Sequence, residues 1–547
     1  MVWTVKWFFR IGIMTIALLL QFSCAQTDKQ TNAHLVFRYN EHANIQTLDP
    51  AFAKDLRTIW ATNQLFNGLV QLDDHLEVLP DIASSWEISD TGKTYAFHLR
   101  TDVQFHRHPL FGPNHTRKVV ASDFVYSLNR LQDPRVASPG KWVLEHVQKY
   151  SAVNDSTFVI QLKQPFPPFL SLLSMKYCSV VPKEAVSYFG TSFRSHPIGT
   201  GPFQFQLWVE NTKLVFRKNN AYHERGVLGQ RLPYLEAVAI TFLPDKQSEF
   251  LQFVQGNLDF LNSIDASYKD ELLTEKGELT AGYQDRIDMR SGPYLNTEYL
   301  GVYLDAENPA AQSLKIRQAI NYGFDREKMI LYLRNGIGTP AVNGFIPKGM
   351  PSFDQMNGYT YQPEKSKDLL RSYSEETGDL NPSIVISTNS QYLDLCEYIQ
   401  RELGKLGLKV SVDVMPPSTL RQSKVQGKLN LFRGSWVADY PDAENYLFIF
   451  HSKNFSPDGP NYTHFSNPEF DQLYETAIKT TDRKIREELY QKMDRLLMQT
   501  APVIPLYYDQ VVRFTQKNIQ HLGINPVNQL HLKQVRKKPM QSVEKKP

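Results

Sequence analysis

Residues 429–447 read LNLFRGSWVADYPDAENYL. Leu, Phe, Trp, Val and Ala at this density predict a buried strand, yet Arg433 and Asp439 interrupt it six positions apart. On a strand, positions 433, 435, 437 and 439 share one face, and six residues of extended chain span ~20 Å. The two charges are therefore too far apart to neutralise each other, and buried unpaired charges are costly. Two readings follow. In one, Arg433 pairs with an acidic residue of a neighbouring strand, and Asp439 opens a turn at Tyr440–Pro441–Asp442, where Asp and Pro favour turning. In the other, a bound zwitterion meets both charges. The planar guanidinium of Arg433 suits a carboxylate, and Asp439 accepts from an ammonium. Gly434 lets a ligand backbone approach as an added strand, and Trp436 supplies an apolar wall.

The surrounding chain sets limits. Its 547 residues exceed what one hydrophobic core organises, so two or three domains are expected. Hydrophobic residues make up 41% and charged residues 21%, the balance of a globular protein. The formal charge of 60 − 57 = +3 lacks the strong basic bias of a nucleic-acid binder. Aromatics reach 12%, with 27 Tyr and 32 Phe; they serve either several aromatic cores or a cleft that stacks a ligand. Cys178 and Cys396 are separated by more than 200 residues and read as buried free thiols. His106 and His108 in FHRHP share a strand face, a pair more often structural than metal-binding. No metal site, cofactor or catalytic residue is expected.

The N-terminus carries Lys6 and Arg10, then IGIMTIALLL (11–20), then QFSC ending at Cys24. A basic stretch, a short apolar stretch and a small residue before the cut form a secretion signal, and the apolar stretch is about half of a membrane span. Ser23–Cys24 resembles the end of a bacterial lipobox, which makes residues 1–24 the signal and Cys24 the lipidation site; simple secretion or an uncleaved anchor is the alternative. Residues 25–33 are small and polar, as in a tether.

Beyond it, LVFRYN (35–40) alternates as a strand, residues 59–72 have helical spacing up to Asn67–Gly68, and residues 85–100 form a hairpin around Asp90–Gly92. ASDFVYSLNRL (121–131) opens with Ser122 as a candidate N-cap. KIRQAINYGFDREKMI (315–330), residues 392–407 and residues 482–499 read as helices, and APVIPLYY (501–508) as an extended segment. Strands and helices mixed in this way predict an α/β or α+β multi-lobe protein.

Read in order, LDPAFA, FNGLVQLD (66–73), residues 79–106, ASDFVYSLNR (121–130), PIGTGPF (197–203), IRQAINYGFDR (316–326), WVADYPDAENYL (436–447) and FSNPEFDQL (465–473) resemble the dipeptide/oligopeptide-binding family of ABC-importer solute-binding proteins, bacterial extracellular solute-binding protein family 5. The resemblance runs from about residue 35 to 510. It implies a two-lobe hinged periplasmic-binding-protein fold of type II, with an extra domain inserted in the first lobe. Lobe I is then expected at 34–65, 190–284 and 501–535, the inserted domain at 66–189, lobe II at 285–500, and a disordered basic tail at 536–547.

The resemblance also implies a function without catalysis: capture of a short peptide outside the cytoplasmic membrane by a lipid-anchored monomer, and delivery to the membrane subunits of an ABC permease. In peptide binders of the family, an Asp at the place of Asp439 holds the ligand's amino end, and an Arg at the place of Arg433 can hold the carboxyl end. Trp60 and Asn63, with Phe66, are candidates to line the cleft, and Trp208 and Tyr294 are further ones. One position departs from the pattern: where oligopeptide binders often carry an acidic residue after LDP, this chain has Lys54, followed by Asp55. A positive charge there could favour an anionic ligand group. The same fold with a non-peptide solute (a nickel complex, haem, an oligosaccharide) or a cell-wall peptide is the alternative. A peptidase would need a nucleophile–base set or metal cluster, and the sequence holds neither GxSxG nor HExxH.

Overall fold

The computed structural model describes residues 35–263, 268–356 and 358–539. The expected signal, Cys24 and the tether lie outside them. Alternation in LVFRYN becomes strand Val36–Asn40 (β1), with Phe37 and Tyr39 buried. The LDP motif then turns the chain. The carboxylate of Asp49 accepts from the backbone N–H of Ala51 at 3.1 Å and grips Arg130 at 2.6 and 3.1 Å, so two motifs 81 residues apart hold each other. Helix Leu56–Leu65 (α1) starts where Asp55 accepts from Thr58 N at 3.2 Å, a regular acidic N-cap.

After the pair Val70–Leu72 (β2) and Val78–Pro80 (β3) comes a four-stranded antiparallel sheet. It consists of Ala83–Ile88 (β4), Thr94–Leu99 (β5), Val147–Asn154 (β6) and Thr157–Leu162 (β7), in the order β4-β5-β7-β6. Helix Ala121–Gln132 (α2) packs on it. Ser122 does not cap this helix. Asp123 reaches back to Val120 N at 3.0 Å and binds Arg117 at 2.7 and 2.8 Å; a carboxylate outcompetes a hydroxyl for this place.

The rest of the chain builds one 11-stranded sheet on β1. Its strands are Phe203–Val209 (β8), Lys213–Lys218 (β9), Ala237–Thr241 (β10), Phe260–Asn262 (β11), Ile287–Val302 (β12), Thr339–Pro340 (β13), Ser383–Thr388 (β14), Lys409–Val414 (β15), Leu431–Val437 (β16) and Val503–Gln516 (β17). The order is β15-β14-β16-β12-β17-β11-β1-β10-β9-β8, with β13 on β17. Among the described residues, β12 and β17 are the strands that span both halves. Ile287–Pro293 pairs with Gln516–Gln510, the register slips between Pro293 and Thr297, and Thr297–Gly301 pairs with Tyr508–Val503. The apolar interior divides accordingly. One core gathers Phe37, Phe97, Phe158 and Leu530, a second Ile316, Ile386 and Leu431, and a third Tyr299, Phe450 and Leu497.

Two further sequence readings need correction. The helix expected over 315–330 is two, Leu314–Tyr322 (α3) and Arg326–Arg334 (α4). Asp325 restarts the chain by accepting from Lys328 N at 3.0 Å, while the buried Arg326 donates to the carbonyls of Asn321 (2.8 Å) and Pro505 (2.8 Å). The basic segment from 536 is not a free tail at its start. Arg536–Lys537 (β19) pairs with Ile519–Gln520 (β18), and Lys537 meets the buried Asp259 at 2.7 Å. Both corrections have one cause: a partner remote in sequence overrides a local pattern.

Gly199 and Gly201 of PIGTGPF are required by contact rather than by a left-handed backbone. A Cβ would fall 2.0 Å from Leu65 O at Gly199 and 2.5 Å from Leu65 C at Gly201. His106 supports this loop: its Nδ1 accepts from Gly199 N at 3.2 Å and its Nε2 donates to Gly201 O at 3.1 Å. Burial lowers its pKa to about 4.

Asp49→Ala would strip a nearly buried guanidinium of its partner. The expected outcome is a loss of about 3–5 kcal/mol of unfolding free energy, read by urea denaturation; a change below about 1 kcal/mol would show that the Asp49–Arg130 pair does not hold the two segments.

Candidate ligand-binding site

Strand β16 has two unequal faces. Phe432 and Gly434 are buried and Ala438 and Tyr440 continue that side, whereas Ser435, Val437 and Asp439 are exposed and Arg433 half-buried. Its two edges also differ. On one side β12 accompanies it through Val437. On the other, β14 stops at Phe432, so among the described residues Arg433–Val437 have no strand partner on that edge. An open edge beside an exposed face is where an extended ligand can add as a strand. Gly434 has a second reason to be glycine: a Cβ would fall 2.7 Å from Cζ of Tyr299, its register partner on β12.

The Arg433 guanidinium is already engaged within the protein. Its Nη2 donates to the carboxylate of Glu298, a residue 3% exposed on β12, and its Cζ lies 3.3 Å from the centroid of the Tyr392 ring. Nε is buried without a hydrogen-bond partner. Glu298 also accepts from Asn296 at 3.1 Å, and Asn296 faces Asp509 at 3.5 Å. Asp509 in turn binds Arg334 at 2.8 Å. The line of contacts runs from Arg433 to Arg334. Burial pushes the Glu298 carboxyl up, and Arg433 pulls it back. Of the two readings made from sequence, this is the neighbouring-strand pair.

Asp439 has no cationic partner among the described residues. It lies past the end of β16, and its backbone N–H donates to Asn445 Oδ1 at 3.2 Å. The same oxygen accepts from Trp436 Nε1 at 3.1 Å. Trp436 also meets Phe448 edge-on at 5.5 Å. It therefore braces Asn445, which braces Asp439, and its wall faces inward. The Asp439 side chain is exposed to solvent, but protein surrounds it closely enough that burial raises its pKa, with Asn445 opposing. The Tyr177 phenol is pushed up to about 12 by burial and then by Asp439 and Asp55. Asp439 of the second half and Asp55 of the first thus act on the same phenol. Nearby, Trp142 and Tyr440 bring their rings within 6.4 Å.

The other candidates separate. Trp60 is 3% exposed, donates to Asn528 O at 2.7 Å and packs on Tyr39 and Phe260, which makes it core. Phe66 is core too. Asn63 borders a small polar cavity with Asp81, Lys176 and Lys533. Trp208 packs on that same first core beneath Arg194. Tyr294 is raised to about 12 by burial and then by Asp509 and Glu298, next to the charge chain. The helical spacing around 59–66 shows which face is apolar, but not whether that face meets a core or a cleft. Asp81, His223 and Glu224 stand within ligand distance for a metal. Lys533 already meets Glu224 at 2.8 Å, however, and Asn67 donates to both oxygens of Asp81 at 2.9 and 3.0 Å. Cys178 and Cys396 are free and buried.

An α/β sheet whose halves are joined by two shared strands, with a charged, open-edged surface facing between them, is the arrangement of a binding protein. Comparison with known proteins identifies the kind. Residues 77–458 match the model of bacterial extracellular solute-binding proteins, family 5, and the chain belongs to that family. It is 25% identical to the glutathione-binding protein GsiB of Escherichia coli K12 over 521 residues, 93% of this chain and 95% of that one. It is 27% identical to the dipeptide-binding protein of the same strain over 494 residues, 86% and 88% of the two chains. The solved structure of HbpA2 from Haemophilus parasuis superposes with a TM-score of 0.81 at 24% identity, over 92% of this chain and all of that one. The fold class expected from sequence is the one found. Proteins of the family bind solutes outside the cytoplasm and are not enzymes. No helix among the described residues is long and apolar enough to cross a membrane.

Two outcomes test this site. Arg433→Ala, which leaves Glu298 buried and unpaired, is expected to destabilise by about 3–5 kcal/mol, and the double change Arg433→Met with Glu298→Leu to recover most of that loss, read by denaturant midpoints. An ammonium bound at Asp439 would favour the ionised form of its carboxyl. Affinity is therefore full above the pKa of Asp439 in the free protein and falls as pH drops through it. Because burial sets that pKa above the ordinary value of about 3.9, the fall should begin at a higher pH than for an exposed Asp, and Asp439→Asn should abolish it. Titration calorimetry between pH 4 and 8 reads both.

Proposed function

We propose that this chain is the extracytoplasmic receptor of an ABC importer, which captures short peptides by their amino end and hands them to the permease. The observation that carries this reading is the unpaired, braced carboxylate of Asp439 beside the open edge of β16. It offers an acceptor for an ammonium and, next to it, backbone groups free to bond an extended main chain. The names of the relatives, glutathione-binding and dipeptide-binding, support ligands of this chemistry.

In this reading the halves move about the stretch where β12 and β17 cross, at the register slip between Pro293 and Thr297. Hinge closure by a few such residues is the usual motion of two-lobed binders. In the same reading the first lobe comprises 34–65, 190–284 and 501–535, its insertion 66–189, and the second lobe 285–500. The protein works as a monomer held to the membrane by lipid at Cys24, binds without transforming its ligand, and relies on other subunits for ATP hydrolysis.

The test is mass spectrometry of small molecules released by denaturing the purified mature protein. Mixed short peptides are expected from the wild type and none from Asp439→Ala. A single non-peptide species or a metal complex in the wild type would overturn the peptide reading and leave the family assignment intact.

A further inference from the structure

If Arg433 is neutralised by Glu298, the carboxylate of a zwitterionic ligand needs another cation. A cavity of about 960 Å³ lies on the first half of the molecule, and Lys54, Asp55, Arg130, Pro139 and Arg194 are on its wall. This volume is within the usual range for small-molecule sites. Its wall at Pro139 leads toward Asp439: Trp142, three residues on, brings its ring within 6.4 Å of Tyr440, the chain neighbour of Asp439. Asp55 acts on the Tyr177 phenol together with Asp439, and Gly140, next to Pro139, is so close to Tyr177 that a Cβ would fall 2.3 Å from its Cδ1.

The charges on this wall are paired, with one exception. Arg130 holds Asp49 at 2.6 Å, Arg135 holds Asp133 at 2.7 Å and Arg194 holds Glu210 at 2.7 Å. Asp55 caps α1 and stands 3.6 Å from Arg57. The Lys54 ammonium has no hydrogen bond or ion pair among the described residues, and the residue is exposed to the cavity. It is flexible, and an ammonium is a point charge with three donors, so it can meet carboxylates in more than one position.

We propose that Lys54 is the specificity-determining cation of the cleft: a ligand held at Asp439 by its ammonium runs toward the first half of the molecule and places a carboxylate against Lys54. This rests on the peptide reading above. The carboxylate is either the C-terminus of a short peptide or an acidic side chain, and both present the same group.

The experiment uses the mature full-length protein with three probes: Ala-Ala-Ala, its C-terminal amide, and Ala-Glu-Ala amide. Affinities are measured by calorimetry for the wild type, Lys54→Met and Asp439→Ala. A charge-assisted hydrogen bond contributes enough for about ten- to hundredfold in affinity. The wild type should therefore bind Ala-Ala-Ala about ten- to hundredfold more tightly than its amide, and Lys54→Met should bring the free acid down to the level of the amide while leaving the amide unchanged. Recovery of affinity by Ala-Glu-Ala amide in the wild type but not in Lys54→Met assigns the site to side-chain carboxylates; no recovery assigns it to the C-terminus. Asp439→Ala should weaken all three probes. If Lys54→Met keeps the wild-type preference for the free acid, the role of Lys54 is overturned and the peptide reading stands. If the wild type binds none of the probes, both fall together.

Discussion

The antiparallel pairing of β12 with β17 is the constraint on which the rest depends. These are the two strands that continue through both halves of the 11-stranded sheet, and each group at the candidate site is placed relative to them. Glu298 and Asn296 lie on β12, Asp509 on β17, and β16 takes its register from β12. The cores on either side are largely distinct, and they touch through Tyr440, which joins the first core, and Leu76, which joins the third. The slip of register between Pro293 and Thr297 is where that pairing is weakest.

Charge at the site follows from which groups the fold has already paired. Arg433, Glu298, Asn296, Asp509 and Arg334 form a continuous line of contacts, which offsets part of the desolvation penalty that each charge would carry alone. Asp439 and Lys54 are left out of it, one on each half. A residue can look like a binding group from its type and spacing and still be engaged by a neighbour, as Arg433 is by Glu298. Trp436 also has a role within the protein. Besides any contact with ligand, it holds Asn445, which in turn holds the backbone N–H of Asp439.

Much of the fold was legible because local periodicity and an ordered series of motifs pointed the same way. The strand 36–40, the hairpin at 83–99 and the final helix, Arg483–Thr500 (α5), capped by Asp482, stand where alternation and capping rules place them. Errors occurred where a distant partner decides. Asp123 rather than Ser122 starts α2 because Arg117 and Val120 N converge on it. Arg326 ends one helix and begins another because β17 offers its carbonyls. Lys537 leaves solvent for Asp259. None of these partners lies within a window that periodicity can scan.

By itself the sequence determined the class of protein, the mixed α/β architecture and the strand that carries Arg433 and leads into Asp439, since side-chain alternation and turn chemistry are local properties of the chain. Tertiary structure decided which of those two charges is free. Whether Glu298 stands beside Arg433 depends on the register of β12 against β16, set by packing between segments 135 residues apart. A shift of one residue would have turned Glu298 to the other face.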